Sequence, residues 1–237
     1  MTCVNLLRKI PTNCRAIDEF LKGGFMVGGV TLIYGEAETG KTAMAMQCAV
    51  NCAKQGYKTL FVDSDGTFSA RRLSQIASEQ FKEIAELMIL VRPNDFHEQA
   101  AVVDQLTNFI NKNFRLVVFD TITSLYRLRV SESPSKTFEL NRELNRQLAV
   151  LAQTARTQKI AVLLTSQVHS ALNEVPVAVE PVATRVLKFW ADTVLAMKPT
   201  ENAQIIKATV EKNPAKLPST TCNLKIEEAG IREFSAH

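Results

Sequence analysis

Three consecutive pieces decide the fold: Val30-Thr31-Leu32-Ile33-Tyr34, then Gly35-Glu36-Ala37-Glu38-Thr39-Gly40-Lys41-Thr42, then Ala43-Met44-Ala45-Met46-Gln47-Cys48-Ala49. The first is a short apolar run that reads as a strand, and the last reads as a helix. Between them stands G-x-x-x-x-G-K-T, in the strand–loop–helix context that a phosphate-cradling loop requires. Gly35 and Gly40 let the backbone N–H groups of the loop, Glu36, Ala37, Glu38 and Thr39 included, converge on an anion. The helix N-terminus adds a partial positive charge. Lys41 is spaced to lie along the β- and γ-phosphates, and the Thr42 hydroxyl to bind Mg²⁺. The stretch predicts a nucleoside-triphosphate site.

Bulk properties bound the rest. At 237 residues the chain fits one α/β domain with a sizeable core. No run of eighteen apolar residues occurs, so no membrane span is expected, and Met1 to Lys9 lacks the layout of a signal peptide. A cytoplasmic protein is expected. Five cysteines, an odd number, fit reduced thiols better than a disulfide framework. Cys48 and Cys52 share a helix face without companion ligands, which suits packing better than metal binding. Lys and Arg exceed Asp and Glu by 28 − 24 = 4, a surplus that permits nucleic-acid contact without demanding it.

Further strands are expected at Lys58–Asp63, Leu87–Val91, Leu116–Asp120 and Ile160–Thr165, with helices over Ser69–Phe81, from Asp95 towards Asn111, and over Thr137–Thr157. Continuous apolar strands alternating with helices predict a mostly parallel twisted sheet covered on both faces. Ligands of such sheets bind beyond the carboxyl ends of the strands. After Asp192 short strands follow without helices, at Thr193–Met197, Ala203–Val210 and Cys222–Ile226, and read as an antiparallel extension. The expected organisation is a single ATPase-type domain over 1–237: an entry segment (1–28), a P-loop core (29–191) and C-terminal antiparallel strands (192–237).

The strand ending in Asp120 after four apolar residues has the form of a Walker B segment, whose carboxylate holds the Mg²⁺ hydration shell. Val62-Asp63-Ser64-Asp65-Gly66-Thr67-Phe68, Asp120-Thr121-Ile122-Thr123-Ser124-Leu125-Tyr126-Arg127 and Thr165-Ser166-Gln167-Val168 together resemble the RecA/RadA recombinase superfamily. Ile10 to Gly24 resembles that family's entry segment. Leu187-Lys188-Phe189-Trp190-Ala191-Asp192 and Val210-Glu211-Lys212-Asn213 are similar to its archaeal RadB branch.

The resemblance implies a RecA-like P-loop NTPase core with ATP and Mg²⁺ as cofactors. It implies catalytic roles for Lys41, Asp65, Asp120 and Gln167, the last sensing the γ-phosphate, and adenine stacking by Arg72, for which a solvated helix arginine is the alternative. Asp63 shapes the turn. It also implies a DNA partner, single-stranded and weakly held, the main recombinase or other repair proteins as protein partners, and a possible homo-oligomer. Arg127, Arg129 and Lys136 flank Val130–Ser135 in what reads as a basic loop, either solvated or touching DNA. Arg185 is the one arginine of a second loop, from His169, that carries two glutamates and no glycine.

Asp65 stands where similar proteins have glutamate. Its side chain is one methylene shorter, and a misplacement near 1 Å lowers rates by on the order of a hundredfold. A slow, DNA-dependent ATPase is therefore expected. Three readings follow: an ATP-binding recombination and repair accessory protein, a filament-forming recombinase with Lys212 and the residues near Pro214 reaching a neighbour's phosphate, and a KaiC-like regulatory ATPase without DNA. At this length the DNA-binding helical domain and F-x-x-A tether of full recombinases are not expected, which favours the first.

Overall fold

A computed structural model of the chain describes residues 8–168 and 179–234. Its scaffold is a nine-stranded sheet of order β11-β10-β9-β8-β3-β7-β6-β4-β5. The central strand β3 (Val30–Gly35) delivers the P-loop, and helix α2 (Lys41–Lys54) leaves it. Around β3 run β7 (Ala161–Gln167), β6 (Phe114–Asp120), β4 (Lys58–Asp63) and the edge strand β5 (Met88–Val91), all parallel. On the other side lie β8 (Thr193–Pro199), β9 (Ile205–Lys212), β10 (Thr220–Glu227) and β11 (Gly230–Glu233). Ahead of the P-loop, β1 (Lys9–Ile10), α1 (Arg15–Phe20) and β2 (Phe25–Met26) form a small lobe, β1 and β2 pairing antiparallel.

The pleat of the strands sorts the core into two layers, because successive side chains point to opposite faces. Ile33, Val118 and Leu163 face α2 with its buried Met44, Cys48 and Cys52. Their neighbours Leu32, Val117 and Leu164 face the other layer, with α5 (Phe96–Phe109) and α7 (Thr137–Gln158). Burial on both sides explains why these strands read as unbroken apolar runs. In α2 every residue from Ala43 to Ala53 is buried, so the P-loop is anchored by its own helix. Burial pushes the Cys52 thiol up to about 11 and Cys14 to about 12, which suits packing and not reactivity.

Four sequence expectations are corrected. The helix over Ser69–Phe81 is two, α3 (Ala70–Ala77) and α4 (Phe81–Glu86), because Ser78 at φ 56° ends the first and a 3₁₀ turn follows. Phe81 and Ile84 still pack against the core, which kept the apparent periodicity intact across the break. The basic loop around Val130 is helix α6 (Ser124–Glu132) with a 3₁₀ turn at Pro134–Lys136, so Arg127 and Arg129 are helical. Residues 179–190 form helix α8 (Val179–Trp190); Pro181 falls in its first turn, where no intrahelical donor is needed. Arg185 is therefore an exposed helix residue, not a loop residue; the part of the second loop from 169 to 178 lies outside the described residues. Finally, α8 returns the chain so that β8 enters parallel to β3, and the antiparallel extension starts only at β9.

Candidate nucleotide site

The P-loop is shaped by backbone that favours glycine. Gly40 sits at φ 83° as the N-cap of α2, and Glu38 at φ 61° turns the loop ahead of it. A Cβ on Gly35 would lie 2.0 Å from the carbonyl oxygen of Met197, so β8 closes against the loop at a distance only glycine permits. The Thr39 hydroxyl donates to the Glu36 carbonyl at 2.9 Å, and the Lys41 ammonium donates to the same oxygen at 2.5 Å.

Lys41 is 7% exposed, and burial pulls its pKa below the usual lysine value. Asp120 and Asp65 work against that shift, while the nearby Arg127 adds to it. The site thus holds a buried cation short of negative charge. Asp120 is the reverse case. It is fully buried at the end of β6, and burial pushes its carboxyl above the usual range, against the pull of the Thr165 and Thr42 hydroxyls. Thr165 donates to its Oδ1 at 2.5 Å, and its Oδ2 has no hydrogen-bond partner among the described residues. An orphaned buried carboxylate oxygen beside a threonine hydroxyl fits a hydrated divalent cation. A cation-seeking oxygen and an anion-seeking ammonium side by side match a metal–phosphate pair.

Asp65 accepts from the Thr121 hydroxyl at 3.3 and 3.2 Å, so its carboxylate is turned to the residue after Asp120. Asp63 does shape the turn: it accepts from the backbone N–H of Thr67 and Phe68 and pairs with Arg92 at 2.9 Å. Behind them runs a buried amide chain. The Ser64 hydroxyl donates to Gln99 at 3.1 Å, Gln99 donates to the Ile122 carbonyl and to Gln147, and Gln147 donates to Glu143. Gln99 and Gln147 are wholly buried, so this chain fixes the strand ends that carry Asp65 and Thr121.

Gln167 ends β7 in register with Gly35, and its carbonyl accepts from Arg127. Arg127 is thereby placed among the phosphate-end residues. Arg129 pairs with Glu132 at 3.2 Å, and Lys136 is exposed in the 3₁₀ turn. Tyr126, next to Arg127, is fully buried against Phe96 and so offers no surface for a base to stack on. Lys212 donates to the Lys188 carbonyl of its own chain at 3.1 Å.

Arg72 lines a cleft of about 270 Å³ with Gly40, Lys41, Thr42, Met46, Thr67 and Ile226. Its guanidinium donates to the Glu227 carbonyl at 2.6 Å and to the Glu228 carbonyl at 3.0 Å. Neither the β10–β11 turn that receives it nor the buried Gln47 beneath that turn was expected at the site from the sequence. The only signal for Gln47 was an amide, one of two with Asn51, inside an otherwise apolar stretch of helix.

A family model described as Rad51 matches residues 5–234. The DNA repair and recombination protein RadB of Methanococcoides burtonii is 33% identical over 221 residues, covering 93% of this chain and 96% of its own length. That of Methanobrevibacter smithii is 34% identical over 227 residues, covering 94% and 95%. The crystal structure of the RadB recombinase shares this fold with a TM-score of 0.77 at 31% identity, over 95% of this chain and all of that one. These likenesses span the P-loop, the strand ending in Asp120 and the C-terminal strands alike, and the chain belongs to the Rad51 family, in its RadB branch.

Proposed function

We propose that this protein is an ATP-binding recombination and DNA-repair accessory protein that hydrolyses ATP slowly, touches DNA weakly and modulates the main recombinase. The observation that carries the reading is the pairing of a buried, under-compensated Lys41 with a buried Asp120 whose Oδ2 has no hydrogen-bond partner among the described residues. Lys41 and the P-loop amides would hold the β- and γ-phosphates, and Thr42 and Asp120 the Mg²⁺ with its waters. The metal supplies charge neutralisation at the transferred phosphoryl group. Arg72 would face the adenine, and Gln167, with Arg127 on its carbonyl, would report the γ-phosphate to α6.

Slow turnover follows from Asp65. A carboxylate turned to the Thr121 hydroxyl and one methylene short is poorly placed to orient an attacking water. Weak DNA contact is assigned to the exposed cations Arg129, Lys136 and Arg185; Arg129 is already paired with Glu132. No helix of the described residues is long and apolar enough to cross a membrane. The test is steady-state ATP turnover, with and without single-stranded DNA, for the wild type and Asp65→Glu. Slow wild-type turnover with a large gain in the variant is expected. Fast, DNA-stimulated wild-type turnover would instead mark a filament-forming recombinase.

A further inference from the structure

Gln47 lies in the second turn of the P-loop helix and is 3% exposed, yet every polar atom of its amide is engaged. Its Nε2 donates to the Thr12 carbonyl at 2.5 Å and to the Ile231 carbonyl at 2.9 Å, while its Oε1 accepts from the Ile231 N–H at 2.7 Å. The two bonds to Ile231 copy the exchange that one strand residue makes with its partner across a sheet. One side chain therefore joins α2, the entry segment and β11. A buried amide costs a good deal unless fully satisfied, so its place deep in an apolar layer calls for a reason.

The surroundings supply one. Gly230, at φ 119°, opens β11 directly over this amide; a Cβ there would lie 2.2 Å from the Gln47 Oε1. From the same hairpin, Ile231 and Ile226 reach the P-loop: a Cβ on Gly40 would meet their Cδ1 atoms at 3.0 and 3.2 Å. From the opposite side Arg72 grips the turn through the carbonyls of Glu227 and Glu228. Two of its nitrogens are spent on those carbonyls while the side chain lines the cleft, and a guanidinium so held can stack its planar face on an aromatic ring.

We propose that Gln47 is a positioning residue for nucleotide binding. By tying β11 to the P-loop helix it holds the β10–β11 hairpin where Ile226 and the Arg72 guanidinium form the wall for the planar base of the nucleotide. The inference rests on the ATP-binding reading above and assigns its base end to the C-terminal hairpin. Gln47 touches neither base nor phosphate; it acts through Ile231 and the turn.

The experiment compares Mg·ATP with Mg·tripolyphosphate, which carries the phosphates without the base, by calorimetric titration of the full chain. For Gln47→Leu the ATP dissociation constant rises about tenfold, while that of tripolyphosphate stays within about twofold of wild type. A merely structural role would lower the melting temperature and leave the ratio of the two constants unchanged, which overturns the proposal. An equal loss for both ligands overturns it too, since the hairpin would then be serving the phosphate end. Should Gln47→Leu fail to fold, Arg72→Ala releases the same turn from the other side without opening the core. It is expected to raise the ATP constant several-fold and spare tripolyphosphate, and an unchanged ratio there overturns the base wall. A wild type that binds neither ligand sinks the ATP-binding reading itself; one that binds tripolyphosphate as tightly as ATP sinks only the base wall.

Discussion

The two ends of the nucleotide cleft are built in opposite ways. The phosphate end is contiguous: eight residues from Gly35 to Thr42 hold a backbone shape, with Asp120 brought alongside by the neighbouring parallel strands. The base end is assembled from Gln47, Arg72 and the hairpin from Ile226 to Ile231, with hydrogen bonds spanning 184 and 155 residues of sequence. A backbone cradle tolerates change in the side chains around it, whereas a wall held by side-chain amides and a guanidinium fails one residue at a time. The first end is suited to holding phosphates of any nucleotide, and the second to deciding whether a base is there at all.

The harshest test of that division is Lys41→Ala. Removing one partner of a buried charge arrangement costs about 3 kcal/mol, on the order of a hundredfold in affinity. The loss should fall equally on ATP and tripolyphosphate in a titration, because Lys41 belongs wholly to the phosphate end. A loss confined to ATP would show that the two ends are not separable.

Next in size is Asp65→Glu. The longer side chain restores the reach that the Thr121-bound aspartate lacks, and a gain in turnover on the order of tenfold to a hundredfold is expected. ATP affinity should be unchanged, since the variant keeps the negative charge that acts on Lys41, and among the described residues Asp65 hydrogen-bonds to Thr121 and to no P-loop residue. An unaltered rate in a variant that still binds ATP would mean that the slow step lies elsewhere than in water placement.

How far the sequence could be read follows the same division. The parallel strands were legible because burial on both faces leaves unbroken apolar runs, and Asp63, Asp120 and Gln167 stand at strand ends, where such folds place polar groups. Helix α8 was not legible, because the valines and prolines ahead of Ala183 read as extended chain. α6 was hidden by the serines and Pro134 at its end, which mask the buried Leu125, Tyr126 and Val130. β11 went unseen, being four residues whose partners are the strand just before it and residues far upstream, Cys14, Ala16 and Gln47. Residues whose role rests on a local motif show in one dimension; Gln47 and Gln99 act only through contacts that folding creates.

A smaller effect is expected at the metal. Asp120→Asn removes the carboxylate that an Mg²⁺ hydration shell would use but keeps the Thr165 contact. Wild-type ATP binding should weaken about tenfold when Mg²⁺ is chelated, a loss of the size of one charge-assisted contact. Binding by the variant should be the same with and without chelator. A variant that keeps the full Mg²⁺ dependence would take Asp120 out of the metal site and leave its orphaned oxygen unexplained.

The smallest effect separates two arginines on one helix. Arg127 and Arg129 are two residues apart on α6 and so point to different faces. Arg127 donates to the Gln167 carbonyl and lies near enough to Lys41 for its charge to work against that lysine; Arg129 is half exposed and, among the described residues, pairs with Glu132. A cation that touches a DNA phosphate contributes about one unit to the slope of log affinity against log salt concentration. Arg129→Ala should therefore flatten that slope by about one unit. Arg127→Ala should leave the slope alone and instead bring DNA affinity with ATP and without it closer together, because it loosens the link between Gln167 and α6. If both variants flatten the slope, Arg127 reaches DNA as well, and the phosphate end is then open to two polyanions and not closed around one.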